Sequence, residues 1–216
     1  MRETVELSGV ILYAQNIGEY DKRLVILTRE RGRITAFAHG VRRQKNPMIA
    51  AANPFVFAVF TLFEGKDAYT LSSAATTEYF TDLAGRMPGV FYGYYFLEVA
   101  DYFGREGIEA ENVVNLLYVT LRAVLREQLP IRMIRAIYEL RTLAENGVYA
   151  PPPGRGKLSE AAFAALRYVT YCELKGLYAF RLSDEAAAEF EAAVSEAFDK
   201  TVEKSFKSLA VIPKIE

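Results

Sequence analysis

The run Leu24-Val25-Ile26-Leu27-Thr28-Arg29-Glu30-Arg31-Gly32-Arg33-Ile34-Thr35-Ala36-Phe37-Ala38 decides how the first third of this chain folds. Leu24 to Thr28 and Ile34 to Ala38 are short runs rich in β-branched and aromatic residues, which predicts two strands. Between them, Arg29 to Gly32 is a short polar loop ending in glycine, and a glycine there suits the left-handed position of a hairpin. The two strands are therefore expected to pair. Outward from the hairpin, Leu7 to Tyr13, Phe55 to Phe63 and Ala68 to Leu71 follow the same grammar, making five strands between Val5 and about Ser73. Phe55 to Phe63 is apolar on both faces, the pattern of a strand covered by a barrel interior on one side and a neighbouring domain on the other.

Five short strands in roughly seventy residues predict a small closed barrel, with the OB-fold as the leading candidate. From about Pro88 the pattern changes to helices: Pro88 to Gly104, Ala110 to Glu127, Ile131 to Asn146, Ser159 to Leu174 and Ser183 to Lys204. Pro88 fits a first helical position and Gly147 a C-terminal stop. Ser159 and Ser183 are N-cap residues followed by acids that favour the positive helix end. The fold class is thus α+β, a five-stranded OB-fold barrel over residues 1–82 followed by an α-helical domain over residues 83–216. Pro151-Pro152-Pro153-Gly154-Arg155-Gly156 is the one clear linker.

The 216 residues are 51% hydrophobic and 25% charged, the balance of a folded protein rather than a disordered or low-complexity one. Apolar stretches such as Phe55 to Phe63, nine residues with Thr61 among them, reach only about half of what a membrane-spanning helix needs. The N-terminus carries acids where a signal peptide needs a basic end, so a cytoplasmic location is expected. Cys172 is the sole cysteine and His39 the sole histidine, which excludes an internal disulfide and a four-ligand Cys/His metal site. No GxxxxGK[ST] loop, Gly-x-Ser-x-Gly elbow or HExxH motif is present, so neither a cofactor nor an enzyme is expected.

Net charge is −1 overall, but Asp21 to Lys45 holds eight bases (Lys22, Arg23, Arg29, Arg31, Arg33, Arg42, Arg43, Lys45) against two acids. That segment is +6 and the rest of the chain −7. A basic segment on an acidic body is the arrangement of a protein that docks a polyanion on one face. Arg31, Arg33 and the loop Arg42-Arg43-Gln44-Lys45 are expected to converge on one side of the barrel. Single-strand binders combine a charged groove with exposed rings for base stacking. Here only the charge is visible, because Tyr13, Tyr20 and Phe37 read as barrel core or rim residues. The expectation is backbone-directed binding with little sequence preference, since phosphate contacts carry no base information.

The stretch from Gly18-Glu19-Tyr20-Asp21-Lys22-Arg23 through Arg29-Glu30-Arg31-Gly32-Arg33-Ile34 to Ala38-His39-Gly40-Val41-Arg42-Arg43 resembles the N-terminal signature of the bacterial RecO family. Pro54-Phe55 and Phe63-Glu64-Gly65-Lys66 fall where that family has its fourth strand and following turn. Tyr138-Glu139-Leu140-Arg141-Thr142-Leu143 with Gly147 is similar to the family's Phe-Glu-Leu-x-x-Leu helix, and Ser205-Phe206-Lys207-Ser208-Leu209 to its terminal motif. The resemblance implies a non-enzymatic recombination mediator. Such a protein binds single- and double-stranded DNA, anneals complementary strands, and with RecR helps load RecA onto strands coated by single-strand-binding protein (SSB); use of RecF is left open. It also implies a nucleoid-associated location and docking of the acidic SSB tail on the helical domain. An apolar pocket beside a cation is needed for that tail, and Arg135 and Arg141, flanking Ile134, Ile137 and Tyr138, are the candidates. The family's zinc module of two Cys-x-x-Cys pairs is missing near 148–158, where Val148-Tyr149-Ala150 runs into Pro151. Two other classes stay open on the residues alone: an OB-fold scaffold that binds only proteins, and an enzyme of unrecognised type.

Overall fold

The structure, a computed structural model, describes residues 4–212. Five strands, β1 (Thr4–Ile17), β2 (Asp21–Thr28), β3 (Gly32–Ala38), β4 (Phe57–Glu64) and β5 (Tyr69–Glu78), close into a barrel in the order β1-β2-β3-β5-β4. All neighbours are antiparallel except β3 and β5, which make a short parallel contact at Ala36–Tyr69 and Phe37–Thr70. The predicted hairpin forms with Thr28 opposite Gly32. Gly32 sits at φ +64°, and the Thr28 hydroxyl donates to the Gly32 carbonyl (2.8 Å) while accepting from the Arg31 amide (3.2 Å).

The barrel interior is filled by Leu7, Ile11, Leu24, Ile26, Ile34, Ala36, Val56, Phe60 and Leu62 with smaller neighbours. Alternation along β3 is regular, with Ile34, Ala36 and Ala38 buried and Arg33, Thr35 and Phe37 on the outer side. β1 breaks the alternation. A bulge between Ile11 and Tyr13 shifts its register against β2, so Leu7 and Ile11 face inward before it and Ala14 packs on the core after it. One extra residue in a strand exchanges the faces of everything beyond it.

Most strand limits differ from the sequence reading: β1 extends three residues before Leu7 and four beyond Tyr13, β2 begins at Asp21 rather than Leu24, and β3 at Gly32 rather than Ile34. β4 starts at Phe57 rather than Phe55, because Phe55 is held at φ +70° in the preceding turn. β5 runs on to Glu78, well past Leu71. Its second half, Ser72 to Glu78, carries no large apolar side chain, and it is fixed by pairing with Phe57–Thr61 of β4. On the outer face of β4, Phe57, Val59 and Phe63 are apolar but Thr61 is polar, and at Phe57 the cover is the ring of Phe80 in the same compact unit (centroids 5.4 Å apart).

Five helices follow: α1 (Gly89–Phe103), α2 (Glu111–Arg126), α3 (Ile131–Glu145), α4 (Glu160–Tyr171) and α5 (Asp184–Thr201). Ser159 and Ser183 cap α4 and α5, accepting from the Ala162 and Ala186 amides. Gly147, at φ +70°, ends α3 as expected. Pro88 stands one residue before α1 rather than inside it, its carbonyl accepting from the Phe91 and Tyr92 amides. α5 stops at Thr201, so Lys204 lies beyond the helix, its ammonium over the Phe206 ring.

The chain forms two compact units. One holds the barrel through Ala84 together with Leu97–Val114; the other holds Gly85–Phe96 and the residues from Asn115 onward. Leu97–Val114 folds with the barrel because its backbone clamps the β2–β3 hairpin tip. The Arg33 amide donates to the Arg105 carbonyl (3.1 Å), the Gly107 amide to Arg31 (3.0 Å) and the Ala110 amide to Arg29 (2.9 Å). In the second unit α3, α4 and α5 pack together around Ile137, Tyr138, Leu140, Leu166, Val169, Phe190 and Val194.

Candidate nucleic-acid interface

The basic segment does not gather on one side of the barrel. Lys22 pairs with Ala38 at one end of the hairpin and Thr28 with Gly32 at the other, a separation of six residues or about 20 Å. Arg29, Arg31 and Arg33 belong to the tip, while Arg23 and the loop carrying Arg42, Arg43 and Lys45 belong to the opposite end. The expected convergence is thus corrected, since an antiparallel hairpin places residues near its turn and residues after its second strand at opposite ends.

The two ends differ chemically. At the tip each arginine meets a carboxylate from a distant part of the chain: Arg29 with Glu111 (4.0 Å), Arg31 with Glu64 (2.9 Å) and Arg33 with Asp101 (3.2 Å). Arg31 also donates to the Tyr69 hydroxyl (2.7 Å). At the other end, no carboxylate among the described residues lies within ion-pair distance of Arg23, Arg42, Arg43 or Lys45. Lys22 is the exception there. Its side chain is buried, its ammonium donates to the Ala52 carbonyl (2.9 Å) and Asn53 Oδ1 (2.7 Å), and burial followed by the Arg42 charge lowers its pKa. Lys22 is therefore a structural cation.

The loop after β3 is built to present its cations. Asp21 accepts from the Gly40 amide (2.7 Å) and lies against His39 Nδ1 (2.7 Å). Those partners, the Gly40 amide first, hold the Asp21 carboxyl below its usual range. The Arg42 amide donates to the Tyr20 carbonyl (2.9 Å) and its guanidinium to the Gly18 carbonyl (3.3 Å). The Arg43 guanidinium stacks over the Tyr20 ring at 5.4 Å. Asn46 closes the turn, donating through Nδ2 to the Gly40 carbonyl (2.9 Å). Arg23, Arg43 and Lys45 are exposed and Arg42 is half-exposed.

Exposed rings accompany them, which the sequence reading missed. Tyr13 is 54% and Tyr20 39% exposed. On the outer face of β1, β2 and β3, Gln15 pairs with Arg23 and Arg23 with Phe37, while Tyr13 pairs with Val25 one row away. Extending the Leu7-Gly9-Ile11 period would turn Tyr13 inward; the bulge turns it out. Nothing short of locating that bulge reveals Tyr13 as a surface ring.

In the helical unit the three predicted tail-binding residues have separate surroundings. Tyr138 is fully buried, its hydroxyl donating to the Phe96 carbonyl (3.0 Å), so its ring is unavailable to a ligand. Arg141 donates to the carbonyls of Val169, Thr170 and Cys172 (3.0, 3.1 and 2.8 Å) and pairs with Glu145, tying the end of α4 to α3. Arg135 alone faces a cavity. It pairs with the buried Glu139 (2.6 Å), lies over the Tyr95 ring, and lines a space of about 410 Å³ with Arg132, Glu191, Leu209 and Ile212. A wider cleft of about 630 Å³ lies beside α2, with Arg122, Arg126 and Lys175 around Tyr118, Val119 and Leu129. No group of three or more His, Cys, Asp or Glu among the described residues is placed to hold a metal ion. No helix among them is long and apolar enough to cross a membrane.

A closed five-stranded barrel of this topology, followed by helices, defines an OB-fold protein with a helical second part. Residues 1–80 match the family model described as recombination protein O N terminal. A protein from Acetivibrio thermocellus named DNA repair protein RecO is 24% identical over 98% of this chain and 97% of its own length. Relatives of the same name from Alkaliphilus metalliredigens and Pelotomaculum thermopropionicum are each 31% identical, over 67% and 72% of this chain and 58% and 60% of their own lengths. The chain belongs to the RecO family.

Proposed function

We propose that this protein is a non-enzymatic DNA repair and recombination mediator of the cytoplasm and nucleoid, binding single- and double-stranded DNA through the barrel domain, residues 1–82. It anneals complementary strands and, with RecR, promotes RecA loading on SSB-coated DNA. The observation that carries this reading is the set of four cations, Arg23, Arg42, Arg43 and Lys45, at one end of the hairpin on the OB barrel, with no carboxylate among the described residues within ion-pair distance. Annealing brings two polyanions together, and a fixed cationic surface lowers their repulsion by neutralising phosphates and releasing counterions. Arg29, Arg31 and Arg33 serve as a secondary contact, since surface ion pairs hold by only about 0–1 kcal/mol and can yield to phosphate. Replacing Arg42 and Arg43 together by glutamate is expected to weaken DNA binding and slow annealing with the thermal melt unchanged. Wild-type annealing in that double variant would remove the loop from the site. It would also favour the alternative, a scaffold that binds only proteins.

The SSB tail, acidic and ending in a phenylalanine carboxylate, is assigned to the cavity beside Arg135. Arg132 and Arg135 there flank the apolar Leu209 and Ile212. Arg135→Glu should abolish binding of a tail peptide. Retained binding, with loss on Arg126→Glu, would move the tail to the cleft beside α2.

A further inference from the structure

The cleft beside α2 lies wholly within the second compact unit and shares no lining residue with the cavity beside Arg135. Asn115, Tyr118, Arg122 and Arg126 of α2 all line it, following one another at steps of three and four residues, so they form one face of the helix. Lys175 reaches the same space from the segment 174–179. Val119, Leu129 and Tyr178 add apolar surface, and the Tyr178 hydroxyl is hydrogen-bonded to that of Thr120 (2.7 Å). The chemistry changes along the α2 axis. At 1.5 Å per residue, Tyr118 stands about 6 Å from Arg122 and about 12 Å from Arg126, with Asn115 about 5 Å beyond it on the other side. A ring and an amide thus occupy one end of the face and guanidiniums the other. The Asn115 side chain can both donate and accept, and it has no hydrogen-bond partner among the described residues. Among those residues, no carboxylate lies within ion-pair distance of Arg126 or Lys175, and no Asp or Glu lines the cleft.

The volume of about 630 Å³ falls in the usual range for small-ligand pockets, about 300–1,000 Å³. A ring beside an amide suits a heterocyclic base, which offers a flat face and a hydrogen-bonding edge. Cations one to two turns away suit the phosphates of the same molecule, since guanidinium and ammonium groups are the usual phosphate ligands. An acidic peptide would use the cations and the apolar surface but would leave the Asn115 amide without a role. We propose that the cleft beside α2 binds a nucleoside triphosphate, with Tyr118 against the base, Asn115 on its edge, and Arg126 and Lys175 on the phosphates. This goes beyond the recombination-mediator reading and does not depend on it, because the cleft takes nothing from the barrel.

The test is isothermal titration calorimetry of the full chain with ATP and with inorganic tripolyphosphate. ATP is expected to bind at least about tenfold more tightly than tripolyphosphate, the difference being the contribution of the base. Arg126→Ala with Lys175→Ala is expected to weaken both ligands by at least about tenfold, the order of one lost charge-assisted hydrogen bond, with the thermal melt unchanged. Tyr118→Leu, which keeps apolar bulk and removes the ring, is expected to weaken ATP by about fivefold or more and leave tripolyphosphate as in wild type. The Arg42→Glu, Arg43→Glu double variant is expected to bind ATP like wild type. Tripolyphosphate as tight as ATP would overturn the base-binding end, and unchanged ATP affinity in the Arg126, Lys175 variant would overturn the site. Displacement of ATP by the acidic SSB-tail peptide would also overturn it and make the cleft a peptide groove. Absence of ATP binding at about 1 mM would overturn the nucleotide site and leave the DNA-binding reading standing.

Discussion

Truncating Arg141 to alanine is expected to lower the unfolding free energy by about 2–3 kcal/mol, because charge-assisted hydrogen bonds to three carbonyls would be lost and the mostly buried Glu145 would lose its cation. The urea midpoint measures this, and a shift worth less than about 0.5 kcal/mol would show that the end of α4 finds other partners. Arg141 illustrates what was and was not legible residue by residue. Its charge was plain in the sequence, but its acceptors lie 28 to 31 residues away and become neighbours only when α4 packs on α3. The same holds for Lys22, whose acceptors at Ala52 and Asn53 are 30 and 31 residues distant, and for Arg33, whose acid is 68 residues on. Local sequence shows a cation's existence; long-range packing decides whether it is available.

Among the elements, the hairpin and its glycine were readable because Thr28, Arg31 and Gly32 are neighbours in sequence and the turn chemistry is local. The bulge in β1 was not, because Leu12 is as apolar as the residues around it and only the pairing with β2 exposes the shift. The loop after β3 depends on Asp21, and this dependence has a pH signature. The Asp21 pKa is lowered in the folded protein, so the folded state binds a proton less readily than the unfolded one. Its contribution is present above the ordinary aspartate range and is lost as pH falls through the depressed folded value. The Gly40 amide resonance should therefore titrate with a midpoint below about 3.9, and lose that titration in Asp21→Asn. A midpoint at or above the ordinary aspartate value would mean that the Asp21–Gly40 contact does not hold the loop.

Across the whole molecule, the order of elements was legible from strand grammar followed by helical grammar, and the change between them near Pro88 is real. A single cut in sequence could not show that Leu97–Val114 folds with the barrel, since that grouping rests on backbone bonds to the hairpin tip. The basic segment was legible as a sum, and its division into a neutralised tip and an available loop was not. Function at this scale follows from where cations remain outside ion-pair distance of a carboxylate, at Arg23, Arg42, Arg43 and Lys45. Its most direct test is the salt dependence of single-stranded oligonucleotide binding, followed by fluorescence anisotropy in wild type and in the Arg42→Glu, Arg43→Glu double variant. Four phosphate contacts predict a slope of log affinity against log salt of about −2 to −3 for wild type, flattened by about 1.4 in the variant. Equal slopes in the two proteins, or no binding by wild type at low salt, would contradict the account.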